Sequence, residues 1–219
     1  MRLVIVCEGE TEQRFCRDLL SGFLGMEIDA PKIKRSNGGL VPWDILSTQL
    51  ATLLKKENAV VSTLIDFYGI KKQHKFPGWE EIISSDKQKR VEDLEERMRN
   101  YFPDALRYRF IPYLQLHEFE SLLFSSKEVL LNFVSSKGGD VKALEKLFSS
   151  SIPPELINGS QETSPSHRLQ SAILGYQKVV HGIKLAKEIG ITNMREKCPH
   201  FNQWLTTLQD RLTNDSSQL

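Results

Sequence analysis

Apolar residues open the chain as an unbroken run, Leu3-Val4-Ile5-Val6-Cys7. A short run with β-branched members predicts a strand buried on both faces, the usual condition of a parallel sheet. After Glu8-Gly9-Glu10-Thr11-Glu12 the period changes: Phe15, Leu19, Leu20, Phe23 and Leu24 recur every three or four positions. That spacing predicts an amphipathic helix with Thr11 as its cap. Residues 27–34 alternate weakly and read as a second strand, followed by a turn at Asn37-Gly38-Gly39 and a helix from Pro42 to Glu57 with Ile45, Leu46, Leu50, Leu53 and Leu54 inward. Ala59 to Ile65 reads as a third buried strand ending at Asp66. The basic, turn-like stretch between Gly69 and Gly78 leads into a highly charged helical stretch from Trp79 to Phe102, stopped by Pro103. Tyr108 to Leu114 is the fourth strand candidate, and His117 to Phe124 opens a further helix.

This alternation of strands and helices predicts an α/β fold, a Rossmann-like, mostly parallel open sheet with ligands in the crevice at the C-terminal strand ends. From about residue 125 the pattern turns to short helices (127–135, 140–149, 167–190, 199–212) around a Ser/Pro/Gly-rich stretch, 149–166, and no strand is expected after 114. The expected organisation is an α/β metal-binding domain over 1–125 and a helical C-terminal extension over 126–219, with Phe201 and Trp204 in the core of that extension.

Composition narrows the class. The length of 219 residues suits one domain with an extension or two small ones, and 40% hydrophobic with 26% charged residues is ordinary for a folded globular chain. No apolar run is long enough to span a bilayer, and the N-terminus lacks a signal-peptide core. Three cysteines without CxxC spacing argue against a disulfide scaffold or zinc finger, so the expected location is cytoplasmic and off the membrane. The net charge of +1, from 29 basic and 28 acidic residues, supplies no global field for nucleic acid. Any such binding must be local. Lys71, Lys72 and Lys75 directly follow the third strand, and residues 165–200 carry Arg168, Lys178, Lys184, Lys187, Arg195 and Lys197 against Glu188 and Glu196. Both regions suit phosphate contacts, although short basic runs are commonly just solvated loops. Tyr68 and Trp79 are candidates for base stacking, with a core or lid role as the alternative.

Acidic residues fall at three successive strand ends: Glu8 with Glu12, Asp66, and Glu118 with Glu120. Carboxylates gathered in one crevice repel one another and need a cation, and hard oxygen ligands suit Mg²⁺ or Mn²⁺. Each also has a structural reading. Glu10 and Glu12 favour a helix start through the macrodipole, and Asp66 is placed to cap the next turn. Of the pair two apart, Glu120 is chosen for the site and Glu118 held in reserve; His117 is either an acid–base group or a capping and packing residue. Gly38-Gly39 has no Walker or GxGxxG context, Ser166-His167 has no nucleophile-elbow signature, and Asn158-Gly159-Ser160 carries no modification signal of interest.

Several of these segments carry a resemblance: Val4 to Glu12, Asp66-Phe67-Tyr68-Gly69, His117 to Phe124, Gly175-Tyr176-Gln177-Lys178, and Cys198-Pro199-His200-Phe201 with Trp204. In order, over nearly the whole chain, they resemble a bacterial family known as domain of unknown function 4276. That family is regarded as Toprim-like, related to nucleases of the overcoming-lysogenization-defect type. The resemblance implies a Toprim fold whose first-strand Glu and third-strand Asp-x-Asp bind divalent metal for phosphodiester chemistry, matching Glu8 and Asp66, with Tyr68 replacing the second acid. It also implies metal roles for Glu12 and Glu120 and a transition-state role for a C-terminal basic residue, Lys178 or alternatively Arg168. The implied function is an Mg²⁺- or Mn²⁺-dependent nuclease cleaving nucleic-acid phosphodiesters, with DNA expected ahead of RNA as its substrate, in defence against phage or mobile DNA, beside a separately encoded ATPase. The alternatives are a non-catalytic, nucleic-acid-binding or regulatory subunit of an ATPase complex, and a phosphoryl-transfer enzyme acting on a small ester. Oligomeric state is left open.

Overall fold

The computed structural model describes residues 2–36, 39–56, 59–150, 152–157 and 161–216. The turn expected at Asn37-Gly38 and the segment Asn158-Gly159-Ser160 therefore lie outside the described residues. Compactness divides the chain into two units, Met1–Leu116 with Gln203–Leu219, and His117–Asn202.

The first unit is α/β. Strand β1 (Arg2–Cys7) is buried from Leu3 onward. It is followed by α1 (Glu10–Phe15), a π-helical turn (Cys16–Leu20) and α2 (Ser21–Leu24). The run ends at Gly25, whose φ of 66° is the left-handed C-terminal stop that glycine adopts without a Cβ clash. Then come β2 (Ile28–Asp29), α3 (Trp43–Leu54), β3 (Ala59–Asp66), α4 (Lys87–Asn100), α5 (Asp104–Arg107), β4 (Phe110–Ile111) and β5 (Leu114–Gln115). The sheet order is β2-β1-β3-β4, with β5 also on β3. Every pairing is parallel, and β1 and β3 are matched from Arg2↔Ala59 to Cys7↔Leu64.

The predicted strands and helices are present, with shifts that have local causes. The expected strand over 27–34 is reduced to Ile28–Asp29, with one further bridge from Cys7 to Lys32. Pro31 has no N–H to give, although its carbonyl accepts the N–H of Cys7 at 2.9 Å. The fourth strand is split at Pro112 in the same way. There Thr63 substitutes for the ladder: its hydroxyl donates to Tyr113 O at 2.9 Å and accepts Tyr113 N–H at 2.9 Å. The helix expected from Trp79 begins only at Lys87, because Asp86 caps it by accepting the N–H groups of Gln88 and Lys89 at 2.9 and 3.2 Å.

The core shows how the sheet is covered. Val4 and Val6 of β1 and Val61 and Ile65 of β3 pack with Leu46, Leu50 and Leu54 of α3 and Val91, Leu94 and Met98 of α4. Side chains alternate across a strand, so Ser62 and Thr63 neighbour each other on opposite faces, and Ser62 faces away from α3 and α4. Trp204 reaches that second face. Its indole N–H donates to Ser62 Oγ at 2.9 Å, and its ring stacks on Tyr113 at 4.3 Å between centroids. Trp204 thus packs on the sheet as part of the first unit.

The second unit is helical: α6 (Lys127–Ser136), α7 (Lys142–Ser149), α8 (Pro165–Ala172), α9 (Ile183–Lys197) and the start of α10 (Pro199–Ser216), whose residues from Gln203 belong to the first unit. The segment after His117 is a 3-10 helix, Phe119–Ser125, rather than an α-helix. The single helix expected over 167–190 is broken: α8 ends at Ala172, Gly175 takes a left-handed φ of 71°, and a π-helical turn at Lys178–Gly182 leads into α9. Among the described residues no helix is long and apolar enough to cross a membrane.

Because the Trp204 indole is buried and hydrogen-bonded, Trp204→Ala is expected to cost the first unit about 3–5 kcal/mol. Urea unfolding followed by near-UV circular dichroism measures this, and a loss below about 1 kcal/mol would show that the helix end adds little to the core.

Candidate functional site

In the first unit the C-terminal ends of β1 and β3 stand side by side, since these strands pair directly. Glu8 extends the ladder one residue beyond β1, its N–H donating to Leu64 O at 3.1 Å. Its carboxylate turns to the neighbouring strand, where Oε2 accepts the N–H of Asp66 at 3.0 Å. Gly69 passes close by, and a Cβ there would lie 3.7 Å from Glu8 Oε1. Asp66 precedes the 3-10 turn Phe67–Gly69 but makes no side-chain cap to it. The capping role that its sequence position allowed is therefore not taken up.

Glu12 has a structural task. Its Oε2 accepts the N–H of Gly9 at 2.9 Å, the reciprocal half of a capping box at the start of α1, and its side chain is buried. Among the described residues no three His, Cys, Asp or Glu side chains gather so as to hold a metal ion. Two carboxylates would suffice for one hard cation. Mg²⁺ is commonly held by one or two carboxylates and completes its octahedron with water and substrate phosphate. A carboxylate has about four lone-pair positions, so accepting an N–H does not by itself prevent a carboxylate from ligating. Glu8 and Asp66 are the pair that would hold such an ion.

The basic loop follows at once. Lys71 and Lys75 are exposed, while Lys72 is tied to Glu80 at 2.5 Å, which raises its pKa. The His74 pKa is lowered, first by partial burial and then by the charge of Lys71. Tyr68, standing where the resemblance has a second acid, is 47% exposed.

The second unit holds a different cluster. Glu118 serves the N-terminus of α8, its Oε2 accepting Ser166 N–H at 3.0 Å. Glu120 is fully buried, with Lys178 Nζ 3.2 Å from its Oε2. The two form an ion pair across that distance. Burial raises the Glu120 pKa, and the positive charge of Lys178 opposes the rise. Tyr176 was not singled out by sequence reasoning as a site residue, although it lies two positions before Lys178. Its buried hydroxyl has no hydrogen-bond partner among the described residues, and burial, with the negative charge of Glu120, pushes its pKa upward. Gly182 admits it closely: a Cβ there would lie 3.3 Å from Tyr176 Oη. Arg168, the alternative to Lys178, donates from Nε to Thr163 O at 2.8 Å, and burial lowers its pKa. His117 is buried. Glu155, which sequence reasoning did not single out, is a buried cap for α10, accepting the N–H groups of His200 and Phe201 at 3.0 and 2.9 Å.

The predicted residues thus form two groupings, Glu8 with Asp66 in one unit and Glu120 with Lys178 in the other, while Glu12 closes a helix end. The raised Glu120 pKa has a stability consequence. A carboxyl that holds its proton more tightly when folded adds stability that is complete below its ordinary value of 4.5 and is lost as pH rises through the folded value. The urea midpoint of the wild type minus that of Glu120→Gln is therefore expected to fall as pH is raised from that value, and parallel pH profiles would contradict this assignment.

The family model described as a domain of unknown function (DUF4276) matches residues 7–209, a span that takes in Glu8, Asp66, Glu120 and Lys178. No curated protein and no solved structure matches the chain significantly. With nearly its whole length covered, from the end of β1 into the last helix, the chain belongs to the DUF4276 family.

Proposed function

We propose that this protein is a divalent-metal-dependent nuclease, with Glu8 and Asp66 as the carboxylates that hold Mg²⁺ or Mn²⁺. The observation that carries the reading is that the ends of β1 and β3 adjoin, so that Glu8 Oε2 accepts the backbone N–H of Asp66 and the two acids stand at neighbouring strand ends. Open parallel sheets bind ligands outside these strand ends, and the resemblance to Toprim-like nucleases favours phosphodiester chemistry there. A bound divalent ion would polarise a phosphoryl oxygen and lower the pKa of a bound water.

The chain's own groups have separate tasks in this reading. The Asp66 N–H orients the Glu8 carboxylate, and the short turn at Phe67–Gly69 carries the chain past it. Lys71 and Lys75 contact substrate phosphates, as does Lys72 once released from Glu80. The transition-state charge assigned to Lys178 rests on the family resemblance alone; in the second unit its ammonium stands beside Glu120. The remaining elements of the proposal, DNA as the substrate, defence against phage or mobile DNA and a separate ATPase partner, rest on the family resemblance.

A second reading, a non-catalytic nucleic-acid-binding or regulatory subunit, is favoured by two observations: Tyr68 stands in place of an acid, and the Glu12 carboxylate is engaged in a capping box. Supercoiled plasmid incubated with Mg²⁺ or Mn²⁺ separates the two. The nuclease is expected to nick it and to lose roughly 100-fold or more of that rate in Asp66→Asn or Glu8→Gln, since metal polarisation contributes several kcal/mol. Calorimetric titration of Mn²⁺ should show binding to the wild type and its loss in Asp66→Asn. Plasmid bound but uncut by the wild type, with no Mn²⁺ uptake, would select the regulatory subunit.

A further inference from the structure

A cavity of about 550 Å³ lies in the segment that follows Asp66, walled by Phe76, Pro77 and Trp79 and by the charged residues Lys72, Lys75 and Glu80. Its volume lies in the range of small-ligand sites, roughly 300–1,000 Å³. The indole in its wall is held in place: the Phe67 ring lies 5.8 Å from it, centroid to centroid, and the Arg90 guanidinium carbon lies 5.6 Å from its centroid. Arg90 stands 5.8 Å from the Phe67 ring as well, and its Nε is buried with no hydrogen-bond partner among the described residues. That guanidinium is positioned by two π faces and serves as backing for Trp79. Phe67 is the residue after Asp66, so the same packing ties the cavity wall to the end of β3.

The charges around the cavity are asymmetric. Glu80 is neutralised by Lys72, and Glu81 by Arg97 at 2.7 Å. Lys75 makes no ion pair among the described residues and is set apart by a left-handed φ of 52°. Gly78 is required where it lies, because its φ is +66° and a Cβ would come within 2.1 Å of Arg97 Nη1, displacing the partner of Glu81. What remains is a supported aromatic surface in a cavity with one uncompensated cation at its edge. That combination matches a nucleotide, a flat base with a phosphate attached.

We propose that this cavity takes an unpaired base of a single-stranded nucleic acid, with Trp79 as the stacking surface and Lys75 as the phosphate contact. The proposal rests on the phosphodiester reading above and names its substrate as a single strand or an unpaired end. Stacked base pairs inside a duplex present no free face to such a cavity.

The test is binding of an oligothymidylate to the full chain in EDTA, where no metal-dependent cutting occurs, the strand being fluorescein-labelled for affinity and unlabelled for indole quenching. Trp43 and Trp204 are each 4% exposed, so quenching of indole emission by the strand would report Trp79. The strand is expected to bind more tightly than a duplex of equal length and to quench that emission. Trp79→Leu should weaken binding roughly 5- to 150-fold, Trp79→Phe should retain most of it, and Lys75→Ala should flatten the salt dependence by about 0.7 in log–log slope. If Trp79→Leu fails to fold, wild-type quenching and the Trp79→Phe affinity decide. Binding without quenching, an unchanged affinity in folded Trp79→Leu, or no binding to single strands overturns the proposal. Competition by thymidine monophosphate as effective as the strand itself assigns the cavity to free nucleotides and overturns the strand. Asp66→Asn and the wild type together separate the two readings: quenching without cutting in Asp66→Asn leaves the pocket standing, and cutting without quenching in the wild type removes the pocket alone.

Discussion

Two adjacent strands buried along their length impose the main constraint on the first unit. β1 and β3 expose almost nothing, and their parallel ladder leaves both faces of the pair apolar, so a layer must cover each face. α3 and α4 cover one. On the other, Trp204 brings a large ring and an N–H donor to Ser62, a polar group in the centre of β3 that would otherwise be buried at a cost. The polar residues Ser62 and Thr63 inside an otherwise apolar strand are thereby explained: each places a hydroxyl where backbone pairing alone does not suffice, Ser62 on Trp204 and on Ile111 O, and Thr63 on both polar groups of Tyr113.

The same parallel pairing creates the candidate site. Where two parallel strands end together, backbone N–H groups and the first side chains of the connecting turns are forced into proximity. Glu8 exploits this by taking the Asp66 N–H, which fixes one carboxylate without a second side chain. The structural and chemical uses of acids separate cleanly around it. Glu12, Glu118 and Glu155 each receive backbone N–H groups at helix ends, where the macrodipole favours a negative charge. Asp66 has no such capping role, and Glu120 is buried beside a lysine instead. Only the carboxylate is buried, the Lys178 side chain being 38% exposed, and burying that carboxylate offsets much of the attraction. The Tyr176 hydroxyl, which has no hydrogen-bond partner among the described residues, feels the Glu120 charge as well.

In the charged stretch from Lys71 to Arg97, ion pairs remove part of the apparent basicity. Lys72 is matched by Glu80, Lys89 by Asp93 and Arg97 by Glu81. A sequence count of positive residues therefore overstates the local field, and Lys71 and Lys75 account for most of what remains in the loop. The aromatic residues there are likewise partly committed, with Phe67, Trp79 and Arg90 packed together.

The sequence alone determined the elements whose signals are local: the apolar runs of β1 and β3, the periodic faces of α3, α6 and α7, and the placement of acids just after strands. Hydrophobic periodicity and turn chemistry act over a few residues, so they are legible without the fold. Family membership was legible for the same reason, since it rests on short motifs in order. What only the tertiary structure decided depends on partners distant in the chain. The interruption of the strands at Pro31 and Pro112 followed from which N–H groups the ladder needed, and the relief at Pro112 came from Thr63, 50 positions away from Tyr113. Trp204 proved to be a cover for the sheet because Ser62, 142 positions earlier, accepts its N–H. The same holds for the acids. Glu8, Glu12, Glu118 and Glu120 are alike in sequence, and their roles differ only because folding put an N–H of Asp66, of Gly9 or of Ser166, or the ammonium of Lys178, beside each carboxylate.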